Sequence, residues 1–167
     1  MKRFRKVFEL FLTVVIGAVF GAVFTKALVR LWYKEKEKPL IRLSINNRIL
    51  LRWLYYKQIN RSILEYFENN NFNRIAIYGA GDLGKLLYHE LFCSGVNVVC
   101  MIDKNAEYLS ADCPVLGLED IIPEVDVIVV TVAYSFDIIR EDMRKKVSCP
   151  IVSLEDIIFD GYFINEI

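Results

Sequence analysis

The chain is poor in the residues that usually carry metal or nucleophile chemistry. It has one histidine, His89, and four cysteines with no Cys-x-x-Cys pair. That shortage excludes the common zinc spacings and a disulfide framework. It leaves most of Cys93, Cys100, Cys113 and Cys149 as small core residues in a reducing environment. His89 has no carboxylate or thiol constellation around it and reads as a surface or packed residue. No internal repeat is visible, and the only low-complexity tract is the KEKEK run at 34–38. A net formal charge of zero argues against a polyanion partner for the chain as a whole, yet that zero is a sum of unlike halves.

Residues 1–61 hold fourteen Lys/Arg against Glu9, Glu35 and Glu37, whereas residues 62–167 hold seven basic against eighteen acidic residues. The acidic half is a poor match for nucleic acid, which needs a basic face. In the basic half the charges flank an apolar segment, so they point to anionic lipid headgroups as partners and not to nucleic acid.

That segment, Leu10 to Thr25, is sixteen residues without a charge. As a helix it would rise about 24 Å, and extension through Trp32 with Lys26 and Arg30 snorkelling brings it to the roughly 30 Å of a hydrocarbon core. Trp32 and Tyr33 would form an interfacial belt. The expectation is a membrane-anchor helix over 1–33, with a signal peptide, an interfacial or re-entrant helix and a buried helix left as alternatives. Basic residues on both flanks leave the orientation open by charge, and the free thiols favour a cytoplasmic globular part. Thr13, Gly17, Gly21 and Thr25 recur every fourth residue, and Gly17-x-x-x-Gly21 is a close-packing pattern that suggests a homodimer.

Residues 34–46 read as a charged juxtamembrane linker interrupted by Pro39. From Asn47 a connector helix is expected to run to the Asn69-Asn70-Asn71 stop, so that 34–72 forms a basic linker-and-helix region. Its apolar positions, among them Leu50, Trp53, Leu54, Ile63, Leu64 and Phe67, would dock on a following sheet, or its basic face would lie on a membrane.

Residues 73–167 then alternate strand and helix. Strands are expected at Arg74–Tyr78, Asn97–Ile102, about 114–116, Val125–Val132 and Ile151-Val152. Helices are expected from Asp82 to about Ser94, briefly at Leu118–Ile122, from Ser135 to about Val147, and from Ser153 onward. Such alternation implies an α/β, Rossmann-like parallel sheet of about five strands in the order 3-2-1-4-5.

The glycine pattern Gly79-Ala80-Gly81-Asp82-Leu83-Gly84 closes the first strand, and Asp103 closes the second. In a βαβ context this is the dinucleotide-binding fingerprint: a tight turn, a close approach to pyrophosphate, a close helix–strand contact and a ribose-binding carboxylate. Asp103, beside Lys104, would favour NAD over NADP. Asp82 is set to cap the helix, although it also repels an incoming phosphate. The switch point lies between the first and fourth strands, so Thr131, Tyr134 and Ser135 join the candidate contacts. Tyr134, His89 and Asp82 are the only volunteers for a proton-transfer role, and no catalytic residue is assigned.

The segments IAIYGAGDLGKLLYHEL, VVCMIDKN, DVIVVTVAY and CPIVSLEDII resemble the Rossmann-like NAD- or CoA-binding modules of bacterial capsule and exopolysaccharide biosynthesis proteins. Similar units precede the catalytic domain in CapD-like nucleotide-sugar dehydratases and membrane phosphoglycosyltransferases, and a related one begins the sugar O-acetyltransferases of those pathways. The resemblance covers about residues 60–160 and implies that Gly79, Gly81, Gly84 and Asp103 contact a nucleotide. No Tyr-x-x-x-Lys pair of the dehydrogenase/epimerase kind and no left-handed β-helix repeat follows the motif, and the remaining length does not suggest a catalytic domain. The expected function is therefore a membrane-tethered accessory protein that binds NAD, CoA or a nucleotide-sugar for a polysaccharide-assembly enzyme, with no metal. A ligand-free scaffold and a small oxidoreductase completed by a partner are the alternatives.

Overall fold

The structure, a computed structural model, describes residues 24–25, 39–92 and 94–160. Apart from residues 24 and 25, which are helical, the expected anchor over 1–33 and its Gly17/Gly21 stripe lie outside the described residues. No helix among the described residues is long and apolar enough to cross a membrane. The chain divides into two compact units, 1–43 and 44–167, and the second carries the sheet.

Five strands build that sheet: β1 (Arg74–Tyr78), β2 (Asn97–Ile102), β3 (Val115–Leu116), β4 (Val127–Val130) and β5 (Ile151–Ser153). All pairings are parallel and the order is β3-β2-β1-β4-β5. The central strands are runs of β-branched residues because both of their faces are covered. All four residues of β4 are buried, as are Ile75, Ala76 and Ile77 of β1.

Alternation along each strand divides the core in two. Ile75, Ile77, Val127 and Val129 face a larger cluster with Leu83, Leu87, Leu91, Leu154 and Ile158. Ala76, Ile128 and Val130 face a smaller one with Cys100, Ile102, Ile139 and Met143. The larger side is filled by α3 (Asp82–Leu91) and α5 (Leu154–Asp160), the smaller by α4 (Phe136–Met143).

The region before β1 departs from expectation. Residues 39–58 are helical (α1), so helix replaces the expected linker over 39–46. The reason is visible from Ser44 onward: Ile45, Ile49, Trp53 and Tyr56 recur on one face, and the last three are buried in the larger core cluster. Each such side chain removed from water contributes roughly 1.5–3 kcal/mol. The phenol of Tyr56 also donates to the Ile158 carbonyl at 2.6 Å. Nor is the connector one helix. The chain breaks at Asn60, whose φ of 55° is left-handed, and resumes as α2 (Leu64–Asn69). Asparagine tolerates that conformation, and Asn71 (φ 56°) ends α2 the same way.

Four further boundaries shift. β4 is confined to Val127–Val130, inside the expected 125–132. α3 stops at Leu91, where the Ser94 hydroxyl donates to the Leu91 carbonyl at 2.7 Å. α4 stops at Met143, short of Val147. The helix expected at Leu118–Ile122 is a turn, because the Asp120 carboxylate accepts the Gly117 amide at 2.7 Å and so competes with helical bonding.

Asp126 ties the start of β1 to the loop before β4. Its Oδ2 accepts the amides of Arg74 (2.8 Å) and Asn73 (2.7 Å), and these bonds hold its carboxyl below the usual carboxylate range. A carboxyl with a depressed folded-state pKa stabilises fully above its unfolded value and loses that contribution as pH falls through the folded one. Asp126→Asn is therefore expected to shrink the acid-induced loss of stability below about pH 4. Urea denaturation at a series of pH values measures it, and an unchanged acid limb would refute the assignment.

Candidate functional site

Parallel register sets the site. Tyr78 of β1 lies level with Ile102 of β2 and Val130 of β4. The next residue on each strand is Gly79, Asp103 and Thr131, so three sequence-predicted positions emerge in one row at the carboxyl edge. Ladder bonds continue into that row: the Gly79 amide donates to Ile102 (2.8 Å), the Thr131 amide to Tyr78 (2.9 Å) and the Asp103 amide to Leu116 (3.0 Å).

The three glycines face different constraints. Gly79 has φ +103°, and a Cβ there would stand 2.6 Å from Thr131 Oγ1 and 2.8 Å from Val132 Cγ2. Gly84 has no room at all, because its Cβ would meet the Gly79 carbonyl oxygen at 1.9 Å. Gly81 has an extended backbone open to any residue (φ −79°, ψ −168°), and a Cβ there would meet nothing within 4 Å. Fold geometry demands the first two glycines. It does not demand Gly81, which lies over open space at the start of α3.

Asp103 is engaged on both oxygens. Oδ2 accepts the Ala80 amide at 3.0 Å and Oδ1 accepts the Asn105 amide at 2.9 Å. One bond pins the glycine turn and the other shapes its own loop as an Asx-type turn. Lys104, between them, is exposed. Thr131 is buried, and its hydroxyl lies within hydrogen-bond reach of the Tyr78 (3.1 Å) and Gly79 (3.2 Å) carbonyls, so its side chain clasps β4 to the turn. Ala80 and Leu83 are buried in the larger cluster and offer the site only backbone.

Asp82 does not cap α3 as expected: Gly81 is the N-cap, without a side-chain capping bond, and Asp82 is the first helical residue, exposed where a carboxylate suits the helix dipole. Across the row, residues 133–135 form a short 3₁₀ turn with Tyr134 exposed. Ser135 precedes α4 without a side-chain capping bond, so its expected cap is not formed. Tyr78 lies just beneath the row. Burial pushes its phenol up, and the Asp103 and Asp142 carboxylates push in the same direction, so it stays protonated at neutral pH.

The other candidate bases lie apart. His89 is seven residues along α3 from Asp82, about 10 Å by helical rise. It is exposed and stands 3.9 Å from Asp112. Burial raises the Cys100 thiol to about 11 and also pushes Cys113 and Cys149 up, so these thiols are poor nucleophiles. Among the described residues no cluster of three or more His, Cys, Asp or Glu could hold a metal ion.

The clasp by Thr131 and the second bond of Asp103 to Asn105 were not expected from sequence. Asp103-Lys104-Asn105 carries a signal for the latter, since Asp often accepts the amide two residues on. Compared with known proteins, the chain matches no family model, no curated protein and no solved structure.

Two predictions follow from this geometry. Gly84→Ala would force α3 off β1 and is expected to destabilise the fold by more than about 2 kcal/mol, as for severe overpacking. Asp103→Ala is expected to cost about 1–2 kcal/mol with no ligand present, because the Ala80 and Asn105 amides lose a charged acceptor. Chemical denaturation of each variant tests both, and a neutral Asp103→Ala would remove that carboxylate from the loop's architecture.

Proposed function

We propose that the glycine turn binds the phosphate of a nucleotide, and that the protein is a non-catalytic, membrane-tethered accessory to bacterial surface-polysaccharide assembly. The observation that carries the binding reading is Gly81. Its backbone needs no glycine and its Cβ would strike nothing, so the smallest side chain serves an approach from outside. The amides at the start of α3 and the helix dipole supply what an anion needs there. Asp103, level with that turn, has lone pairs left for ribose hydroxyls, and Tyr134 is exposed across the row for a base or ribose. NAD, CoA or a nucleotide-sugar fits this pattern. The binding residues on this reading are the backbone of Gly79, Ala80, Gly81, Asp82, Leu83 and Gly84, with Asp103, Lys104, Thr131, Tyr134 and Ser135 around it.

The tether is the uncharged run from Leu10 to Thr25 with its basic flanks, in contact with anionic lipid, and Gly17 and Gly21 would pair two such helices. The globular unit is placed on the cytoplasmic side, where its free thiols stay reduced. A polysaccharide-assembly enzyme as partner rests on the sequence resemblance alone.

A second reading, a ligand-free scaffold, is favoured by one specific contact: Asp103 already occupies the Ala80 amide, and Asp82 adds a second carboxylate at the mouth. A thermal-shift panel of NAD, NADP, CoA, UDP and UDP-sugars on the full chain in detergent separates the two. A ligand at 100 times its dissociation constant should add about 2.7 kcal/mol. The expected result is a shift with at least one nucleotide that Gly81→Val abolishes while the unliganded melting temperature holds. No shift with any of them favours the scaffold, and a shift undiminished by Gly81→Val places the ligand elsewhere.

A further inference from the structure

From Ser44 onward α1 has two apolar faces. Ile45, Ile49, Trp53 and Tyr56 pack into the larger core cluster. Leu50, Leu51, Leu54 and Tyr55 turn away from it and are 40%, 60%, 56% and 43% exposed. The outward face of a helix packed on a domain is ordinarily polar. This one is not. At about 100° per residue, Leu50, Leu54, Leu51 and Tyr55 cover an arc of roughly 140°. The other residues in that arc, Ser44, Asn47 and Gln58, are uncharged and stand toward its two ends.

The charges stand at the margins. Arg48 follows the Tyr55 end of the arc and Lys57 precedes the Leu50 end, each about 20° outside it. They reach Glu155 and Glu90, yet their side chains are still 61% and 50% exposed. Arg52, next to Arg48 on that margin, lays its guanidinium over the Tyr55 ring, 5.4 Å from the centroid. Residues 44–61 hold Arg48, Arg52, Lys57 and Arg61 and no Asp or Glu, whereas residues 62–167 hold seven basic against eighteen acidic residues.

We infer that this face docks the folded unit on an anionic lipid surface. Leu50, Leu51, Leu54 and Tyr55 enter the headgroup boundary, and Arg48 and Lys57 lie level with the lipid phosphates. Two observations select that occupant. First, an apolar centre edged on both sides by long cations is the pattern of a helix lying in a membrane interface, where such side chains reach sideways to the headgroups. Second, the charge of the unit is divided: an anionic surface attracts α1 and repels the acidic remainder, so this side alone is drawn to it. Two copies meeting through this face would instead bring like charges together. The inference rests on the tether of the proposed function, which precedes α1 in the chain and keeps lipid at high local concentration, and on none of the nucleotide reading. On the opposite sheet side, Ile138 of α4 is 68% exposed but belongs to the helix that covers the smaller cluster, so it faces away from the lipid.

The test places the full chain in vesicles of phosphatidylcholine with or without phosphatidylglycerol, with lipids brominated in their tails as quenchers. Leu51→Cys, Leu54→Cys and Ile138→Cys each carry a fluorophore, and the unmutated chain labelled in the same way gives the background of the native thiols. With phosphatidylglycerol present, the labels at 51 and 54 are expected to be strongly quenched and the label at 138 not. Quenching should weaken without phosphatidylglycerol and at raised salt. Adding Leu50→Glu to the Leu54→Cys chain should remove its quenching while the melting temperature in detergent holds. Labels at 51 and 54 quenched no more than that at 138, on a chain that still floats with the vesicles, would overturn the inference and leave the tether standing. A chain that does not float at all would overturn both. Equal quenching with and without phosphatidylglycerol would refute the choice of an anionic surface. Shielding of the same labels in lipid-free detergent, with a larger sedimenting species, would give the face to a second copy and overturn it as well.

Discussion

One close approach sets the geometry of the site: α3 lies so near the end of β1 that Gly84 touches the Gly79 carbonyl, and no side chain fits between them. Helices on a sheet normally stand off by the length of their side chains. Here two backbones meet, and the first turn of α3 is drawn over the carboxyl edge of the sheet. Gly79 makes this feasible with a left-handed φ of 103°, which reverses the chain directly after the strand. Thr131 and Asp103 then hold the reversal from the strands on either side, one by its hydroxyl and one by its carboxylate. The row of strand ends and the start of α3 are therefore tied together by backbone contact and side-chain hydrogen bonds, with open space beside Gly81.

That object depends on material well outside the glycine motif. The larger core cluster that backs α3 includes Ile49, Trp53 and Tyr56 of α1 and Ile157 and Ile158 of α5, joined by the Tyr56 hydroxyl on the Ile158 carbonyl. The first and last elements of the unit thus close over the same sheet face. A fragment beginning near residue 60 would lose three buried side chains, including two large aromatics, and expose the face that supports the site. The compact unit that carries the sheet begins at Ser44 and not at the first strand.

Elements whose signal was local and repeated were legible in the sequence. The five strands and their order followed from apolar runs separated by helix-length intervals, and the observed order is β3-β2-β1-β4-β5. Gly79 and Gly84 were legible because their constraint, a left-handed turn and a backbone contact, is written in residue type. The failures share a cause. Leu50 and Leu54 were read as docking residues because hydropathy marks an apolar side chain without saying which of two apolar faces turns inward, and α1 has both. The helix expected at 118–122 failed because Asp120 bonds backward to Gly117, a choice helix propensity does not weigh. Thr131 was legible as a switch-point residue, but its burial was not, since only the position of the glycine turn decides where its hydroxyl points.

Charge at the mouth of the gap narrows the pose available on the nucleotide reading. The amino terminus of α3 presents roughly half a positive charge. Asp82 and Asp103 bring two carboxylates to the same edge, but they are not equivalent. Asp103 spends part of its charge on the Ala80 and Asn105 amides and lies beneath the turn, whereas Asp82 is exposed on the helix itself. A phosphate lying along the whole motif would face both. A phosphate over Gly81 alone, with the ribose toward Asp103, keeps its anion on the side where no Cβ intrudes and offers Asp103 hydroxyl donors in place of a like charge. On that reading the carboxylate that discourages a phosphate at one end of the turn would favour a sugar there, and a nucleotide would be oriented by repulsion as much as by attraction.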